Sequence, residues 1–213
     1  EGIDGIGVDD GAYAAELGYA IKSLAIARHV EGALEASVGP AMLPRDDMLA
    51  GVPREYNAVL VHGDATGPTL YFGKGAGRFP TASSVVADII DIARDTARGS
   101  PYRLDPMPLG DPLPVRPAAD LRSRYYIKFT ARDLPGVIGT VGTILGRRGI
   151  SIASVMQKEP VGDGSPARRG TVPVVILVHR TRAADMRAAL AQMRRLSCVR
   201  GRIQLLRIEE RGE

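Results

Sequence analysis

Apolar residues recur along this chain with two spacings, roughly every 3.6 residues in some stretches and roughly every second residue in others, and the alternation outlines its elements. Near the N-terminus Asp9 or Asp10 can cap a short helix running toward Leu17, where Gly18 offers the left-handed conformation in which helices often end. Residues 20–30 and 33–43, separated by Glu31-Gly32, read as a hairpin, although Leu17, Ile21 and Leu24 equally suit a continued helix. Residues 56–61 and 69–72 flank the turn-rich spacer 62–68 and read as two antiparallel strands. The strongest helical pattern runs from about Thr81 to Arg98, with Ala82, Val85, Val86, Ile89, Ile90, Ala93 and Ala97 on one face and Gly99 closing it.

The second half has another order. Tyr125 to Ala131 reads as a strand; Asp133 and Pro135 start a helix with Val137, Ile138, Val141, Ile144 and Leu145 on one face, and Gly149 ends it. Residues 150–157 and 173–179 read as strands bridged by a mobile Gly/Ser/Arg loop at 161–171. Thr181 is placed to cap a helix that turns Met186, Leu190 and Met193 inward, and 202–208 is the last strand. This βαββαβ order predicts a ferredoxin-like sandwich of four strands with two helices on one side, within an α+β chain.

Between the halves, prolines at 101, 106, 108, 112, 114 and 117 remove backbone donors so often that neither helix nor central strand can persist. The expected organisation is therefore residues 1–99, a semi-rigid linker over 100–124, and a domain over 125–210; the alternative for the linker is a long loop wrapped over one domain. Charge divides at the same place, since residues 1–100 carry 8 basic and 14 acidic side chains while 101–213 carry 20 and 10.

With 213 residues, 45% of them hydrophobic, and a mean hydropathy of −0.03, the chain is long and apolar enough for two folded domains, which excludes the disordered and collagen-like classes. A single cysteine, Cys198, excludes an intramolecular disulfide and structural zinc and fits a reducing compartment, so a cytoplasmic location is expected. No run approaches the roughly 18 to 20 apolar residues of a membrane span, and the acidic N-terminus does not resemble a signal peptide; no membrane partner is expected. The chain starts with Glu1 instead of Met, which reads as a processed, trimmed or incomplete piece.

The segment from Gly73 to Thr81 (GKGAGRFPT) joins a strand to the strongest helix, where glycines permit close backbone approach and the helix end offers free N–H groups to an anion. It is not the G-x-G-x-x-G fingerprint. Taken with Glu16-Leu17-Gly18-Tyr19, Ile21-Lys22, Asn57-Ala58-Val59 and the continuation to Asp88, however, its order and spacing resemble the homoserine dehydrogenase family, with residues 1 to about 98 similar to the later part of that family's catalytic domain and containing an open sheet. Residues 125–210 resemble the ACT domain that many of its bacterial members carry. The resemblance implies NAD or NADP as cofactor and L-homoserine and L-aspartate 4-semialdehyde as substrates on the route to threonine, methionine and isoleucine. Because an ACT sandwich leaves one sheet face and two strand edges uncovered, residues 125–210 are expected to pair with a second copy, edge to edge or face to face, in a homo-oligomer. The resemblance also implies that Gly77, the last glycine of the GAG turn, approaches the cofactor. It further implies that Asp133 and Gly136, in Asp133-Leu134-Pro135-Gly136, help bind a regulatory amino acid such as threonine, although a plain N-cap is the competing role for Asp133.

The family's Rossmann domain and catalytic-lysine segment lie upstream of the residues present, so no catalytic residue is assigned and the chain alone is expected to be inactive. Lys22 sits in a later segment and is not that lysine. A non-catalytic amino-acid-binding or dimerisation module from a truncated or split gene is the alternative. His29, His62 and His179 are dispersed without ligand spacing, and Asp46-Asp47 reads as a solvated turn or short-helix cap in preference to an acid/base pair. Tyr125, Tyr126 and Phe129 raise an RNA-binding sandwich as a rival, but residues 150–156 lack the stacking aromatics such a module needs, so no nucleic-acid partner is expected.

Overall fold

The computed structural model describes residues 2–3, 5–99, 111–157 and 170–210. The readings for 100–110, and for most of the loop at 161–171, lie outside the described residues. In chain order the elements are α1 (Val8–Glu16), β1 (Tyr19–Val30), β2 (Ala33–Pro44), β3 (Tyr56–Gly63), β4 (Gly67–Lys74), α2 (Arg78–Arg98), β5 (Arg122–Arg132), α3 (Val137–Gly146), β6 (Ile152–Gln157), β7 (Thr171–Arg182), α4 (Ala183–Met193) and β8 (Val199–Ile208). They form two compact units, residues 1–45 with 113–213, and residues 46–112.

The larger unit is built on one six-stranded sheet in the order β1-β2-β8-β5-β7-β6. Its last four strands have the ferredoxin-like arrangement expected from βαββαβ, and α3 and α4 cover one face through Val141, Leu145, Met186 and Met193 packed on Ile127, Phe129 and Ile176. The hairpin reading also holds: β1 and β2 pair without interruption from Tyr19 opposite Pro44 to Val30 opposite Ala33. Glu31 and Gly32, at φ 50° and 75°, make the primed type of turn whose twist matches the strands, and Gly18 at φ 84° separates β1 from α1, which removes the continued helix.

Residues 1–45 do not stand apart from the ferredoxin-like half. β2 adds to the sheet in parallel with β8, Ala41 facing Arg207 and Met42 facing Ile208, and Glu209 N–H donates to Met42 O at 2.9 Å. On the face opposite α3 and α4, Met42 and Ala14 join Tyr126, Val175, Leu177, Leu206 and Ile208 in a second buried cluster. The described end of the proline-rich segment is a strap: Leu34 N–H donates to Pro114 O and Arg116 N–H to Leu34 O, while the Arg116 guanidinium binds Glu31 and Glu35 at 3.0 and 3.2 Å.

Several helix starts correct the sequence reading. α1 is capped at Gly7, not Asp9 or Asp10; Asp10 reaches back one turn and accepts the Gly7 N–H at 2.8 Å. α2 begins at Arg78, because Pro80 falls in the first turn, where its missing donor is not needed. α3 begins after Gly136, not at Asp133 or Pro135, and α4 after Arg182, because Thr181 continues β7 opposite Ser123.

Asp10 does more than terminate a helix. It is 1% exposed, and its Oδ1 accepts the Tyr126 hydroxyl at 3.1 Å and lies 2.7 Å from Lys128 Nζ. The ammonium in turn lies 5.9 Å from the Tyr13 ring centroid. α1 is thereby fastened to the middle of β5.

In the smaller unit β3 and β4 form a two-stranded hairpin from Tyr56 opposite Lys74 to Gly63 opposite Gly67, so the turn is shorter than the expected spacer 62–68. The apolar face of α2 is exposed: Val85, Val86, Ile89 and Ile90 are each 44% to 60% accessible.

Burial, followed by the charge of Asp10 and the hydrogen bond to it, pushes the Tyr126 phenol well above its ordinary value of 10.0. The native state therefore keeps a proton that the unfolded chain releases, so this contribution is whole below pH 10 and lost as pH rises beyond it. Urea denaturation should show a steeper alkaline decline in the unaltered chain than in Tyr126→Phe, and parallel declines would contradict this. At neutral pH Tyr126→Phe should cost about 1 kcal/mol and Asp10→Ala, which strands Lys128, about 3 kcal/mol.

Candidate functional site

The glycine-rich turn leaves β4 and enters α2. Gly75 N–H donates to Glu55 O at 3.3 Å, and a Cβ at Gly75 would collide with the side-chain amide of Asn57. Two separated parts of the sequence motif, Asn57 and the GAG turn, are thus packed on one another, which gives the spacing a physical reason. Gly77 is required differently. A Cβ there would lie 3.5 Å from Pro80 Cδ, which is ordinary contact, but its φ of 116° is open only to glycine. Gly77 N-caps α2, no side chain caps the helix, and Thr81 N–H donates to Gly77 O at 3.1 Å.

The cations beside the turn are held by neighbours. Lys74 Nζ lies 3.6 Å from Glu55 and 5.5 Å from the Tyr56 ring, which stacks on Phe72 with centroids 4.8 Å apart. The Arg78 guanidinium lies 5.8 Å from the Phe79 ring. Uncovered N–H groups, the positive end of α2 and a backbone without side chains suit close approach by an anionic ligand.

The second candidate follows β5. Arg132 N–H donates to Cys198 O at 2.7 Å and Asp133 N–H to Gly170 O at 3.0 Å, so the turn is anchored to the strand ends beside it. Gly136, at φ 86°, N-caps α3 with no side-chain cap, and the side chains of Asp133 and Leu134 are exposed. The Asp133 carboxylate and the start of α3 therefore face solvent at one end of the sheet, where they can address an ammonium and a carboxylate.

With these geometries in hand, comparison with known proteins decides the family. Residues 1–90 match the homoserine dehydrogenase family model and residues 125–197 the ACT domain model. The homoserine dehydrogenase of Pseudomonas aeruginosa is 40% identical over 99% of this chain, and that of Neisseria gonorrhoeae 38% identical over 98%. The crystal structure of a homoserine dehydrogenase from Thiobacillus denitrificans superposes with a TM-score of 0.78 at 39% identity, covering 96% of this chain and 46% of that one.

The chain belongs to the homoserine dehydrogenase family.

It spans about half the length, 48%, of the curated relatives it matches. A Staphylococcus aureus homoserine dehydrogenase, 23% identical with a TM-score of 0.56, shares the fold. The compact units assign residues 1–45 to the same body as residues 125–197, which match the ACT model.

Other sequence candidates fall outside both sites. Lys22 lies within β1 opposite Ala41, and His29, His62 and His179 are exposed on three different strands. Among the described residues no three His, Cys, Asp or Glu side chains are grouped to hold a metal ion, and no helix is long and apolar enough to cross a membrane. The sequence reading missed Gly75 as the sterically demanded glycine, and it missed Asp10. A signal for Asp10 existed in Tyr126 and Lys128, two polar-tipped side chains on one face of a strand otherwise rich in apolar residues.

Gly136 and Gly139 give a clean contrast, since a Cβ would meet nothing within 4 Å at either. Gly136→Ala should destabilise by about 1 kcal/mol through its left-handed backbone, and Gly139→Ala, inside α3, should stabilise by about 0.5 kcal/mol. Thermal unfolding of both variants checks the pair; equal effects would contradict the assigned backbone requirement.

Proposed function

We propose that this chain is the C-terminal part of an NAD(P)-dependent homoserine dehydrogenase, which interconverts L-homoserine and L-aspartate 4-semialdehyde in cytoplasmic synthesis of threonine, methionine and isoleucine. What supports the reading is the 40% identity to one such enzyme across 99% of the chain, both halves included. A bound nicotinamide cofactor would supply the hydride chemistry. The GAG turn fits it, because Gly77 has no side chain and the α2 terminus beside it is uncapped. Gly77 brings backbone close to the cofactor, and Gly75 lets Asn57 brace the turn.

The ACT domain binds a regulatory amino acid at Asp133 and Gly136, with threonine as the first candidate. A second copy of the chain completes that site. Of the surfaces a bare four-stranded ACT sheet would offer for pairing, the β8 edge is occupied by β2 and the face opposite the helices is packed by α1. Among the described residues nothing pairs with the β6 edge, which is assigned to the partner. One observation favours the alternative of a non-catalytic regulatory module: every buried apolar side chain among the described residues lies within 1–45 or 113–210. An in-frame Rossmann domain encoded upstream of Glu1 would exclude that alternative, whereas a stop codon followed by a start site would favour it.

The purified chain should show no homoserine-dependent reduction of NAD or NADP. Joined to the N-terminal half of the Pseudomonas aeruginosa relative it should regain that activity, and a folded but inactive chimera would count against the reading. In the active chimera Gly77→Val should raise the cofactor KM about tenfold, and an unchanged KM would remove Gly77 from the site.

A further inference from the structure

One strand carries both the turn assigned to the effector and the residues that hold α1. Asp133 directly follows β5, and Lys128 lies five residues earlier, a distance of roughly 17 Å along an extended chain. Between them the pairing of β5 with β8 loses register: Lys128 faces Gln204, but Thr130 faces Arg200. β8 thus spends four steps where β5 spends two, and Gly201, at φ 68°, turns the extra length out of the ladder. Gln204 is buried beside this irregularity, and its Oε1 has no hydrogen-bond partner among the described residues.

α1 and the segment leading into it lie against both strands of the irregularity. The Arg202 guanidinium, within it, lies so close to Gly5 that a Cβ there would meet it at 2.5 Å. Lys128 and Tyr126, on the facing strand, hold Asp10. A change in how β5 and β8 meet therefore reaches α1 at Asp10 and the segment before it at Gly5.

We infer that α1 is the output of amino-acid regulation: occupation of the Asp133–Gly136 turn resets the β5–β8 irregularity, and Asp10, gripped by Lys128 and Tyr126, carries α1 with β5. This rests on the effector reading above. Asp10 is a positioning residue and touches no ligand. A ligand shifts α1 only if it binds better to one of two arrangements of that grip.

Hydrogen exchange of the 213-residue chain, with and without millimolar L-threonine and alongside calorimetry of the same samples, tests this. Threonine should bind and slow exchange of the α1 amides about fivefold or more. Asp10→Asn should keep the binding and lose most of that response. Because this variant leaves Lys128 without its counter-charge and risks unfolding, Tyr126→Phe is read beside it, and Lys128→Arg should retain the response. Binding without any change in α1 exchange, or a full response in both Asp10→Asn and Tyr126→Phe, overturns this inference and leaves the effector reading standing. If neither threonine nor homoserine nor any other amino acid binds, the effector reading falls and this inference with it.

Discussion

A carboxylate with 1% exposure is tolerable only while its partners stay in place, because an ionised group withdrawn from water without compensation costs several kcal/mol. Asp10 meets that condition with donors from two parts of the chain: the Gly7 N–H of its own helix, and the Tyr126 hydroxyl and Lys128 ammonium of β5. The position of α1 on the sheet is therefore an electrostatic requirement as well as a packing preference. Once α1 is fixed, Ala14 completes the apolar cluster with Met42 and Leu206, and Gly18 can turn the chain directly into β1.

From this fastening follows a body in which the ACT sheet and the first 45 residues share one hydrogen-bonded framework. β2 satisfies the outer edge of β8, the strap at Pro114 to Arg116 binds the tip of the β1–β2 hairpin, and Arg28 reaches Glu209 at 2.8 Å. An ACT domain so embedded has lost one edge and one face that an isolated copy would present. Among the described residues nothing pairs with its β6 edge, and the Asp133–Gly136 turn has exposed side chains at the end of β5.

Much of this was legible in the sequence, for local reasons. The β1–β2 hairpin is written in Glu31-Gly32 between two apolar runs, and the βαββαβ order in a change of period that each segment carries within itself. The glycines at 18, 77 and 99 mark positions of positive φ, where glycine is favoured. The parallel contact of β2 with β8 was not legible, because it rests on two residue pairs between distant segments and has no local signature. Asp10 looked like a helix cap because a carboxylate near a helix start usually is one; only the fold brings Lys128 to it. The contact made by the proline-rich segment was not legible for a similar reason. Proline excludes a regular element but leaves the carbonyl of Pro114 free to accept the Leu34 N–H.

Residues 5–45, 113–157 and 170–210 should open and close as one cooperative body held at Asp10. Native-state hydrogen exchange in rising denaturant reads this directly, since amides protected by one cooperative opening converge on one free energy and one denaturant slope. The account predicts that the interior amides of β2, β5 and β7 converge together. Exchange of β2 through a lower-energy opening that leaves β5 and β7 protected would contradict it.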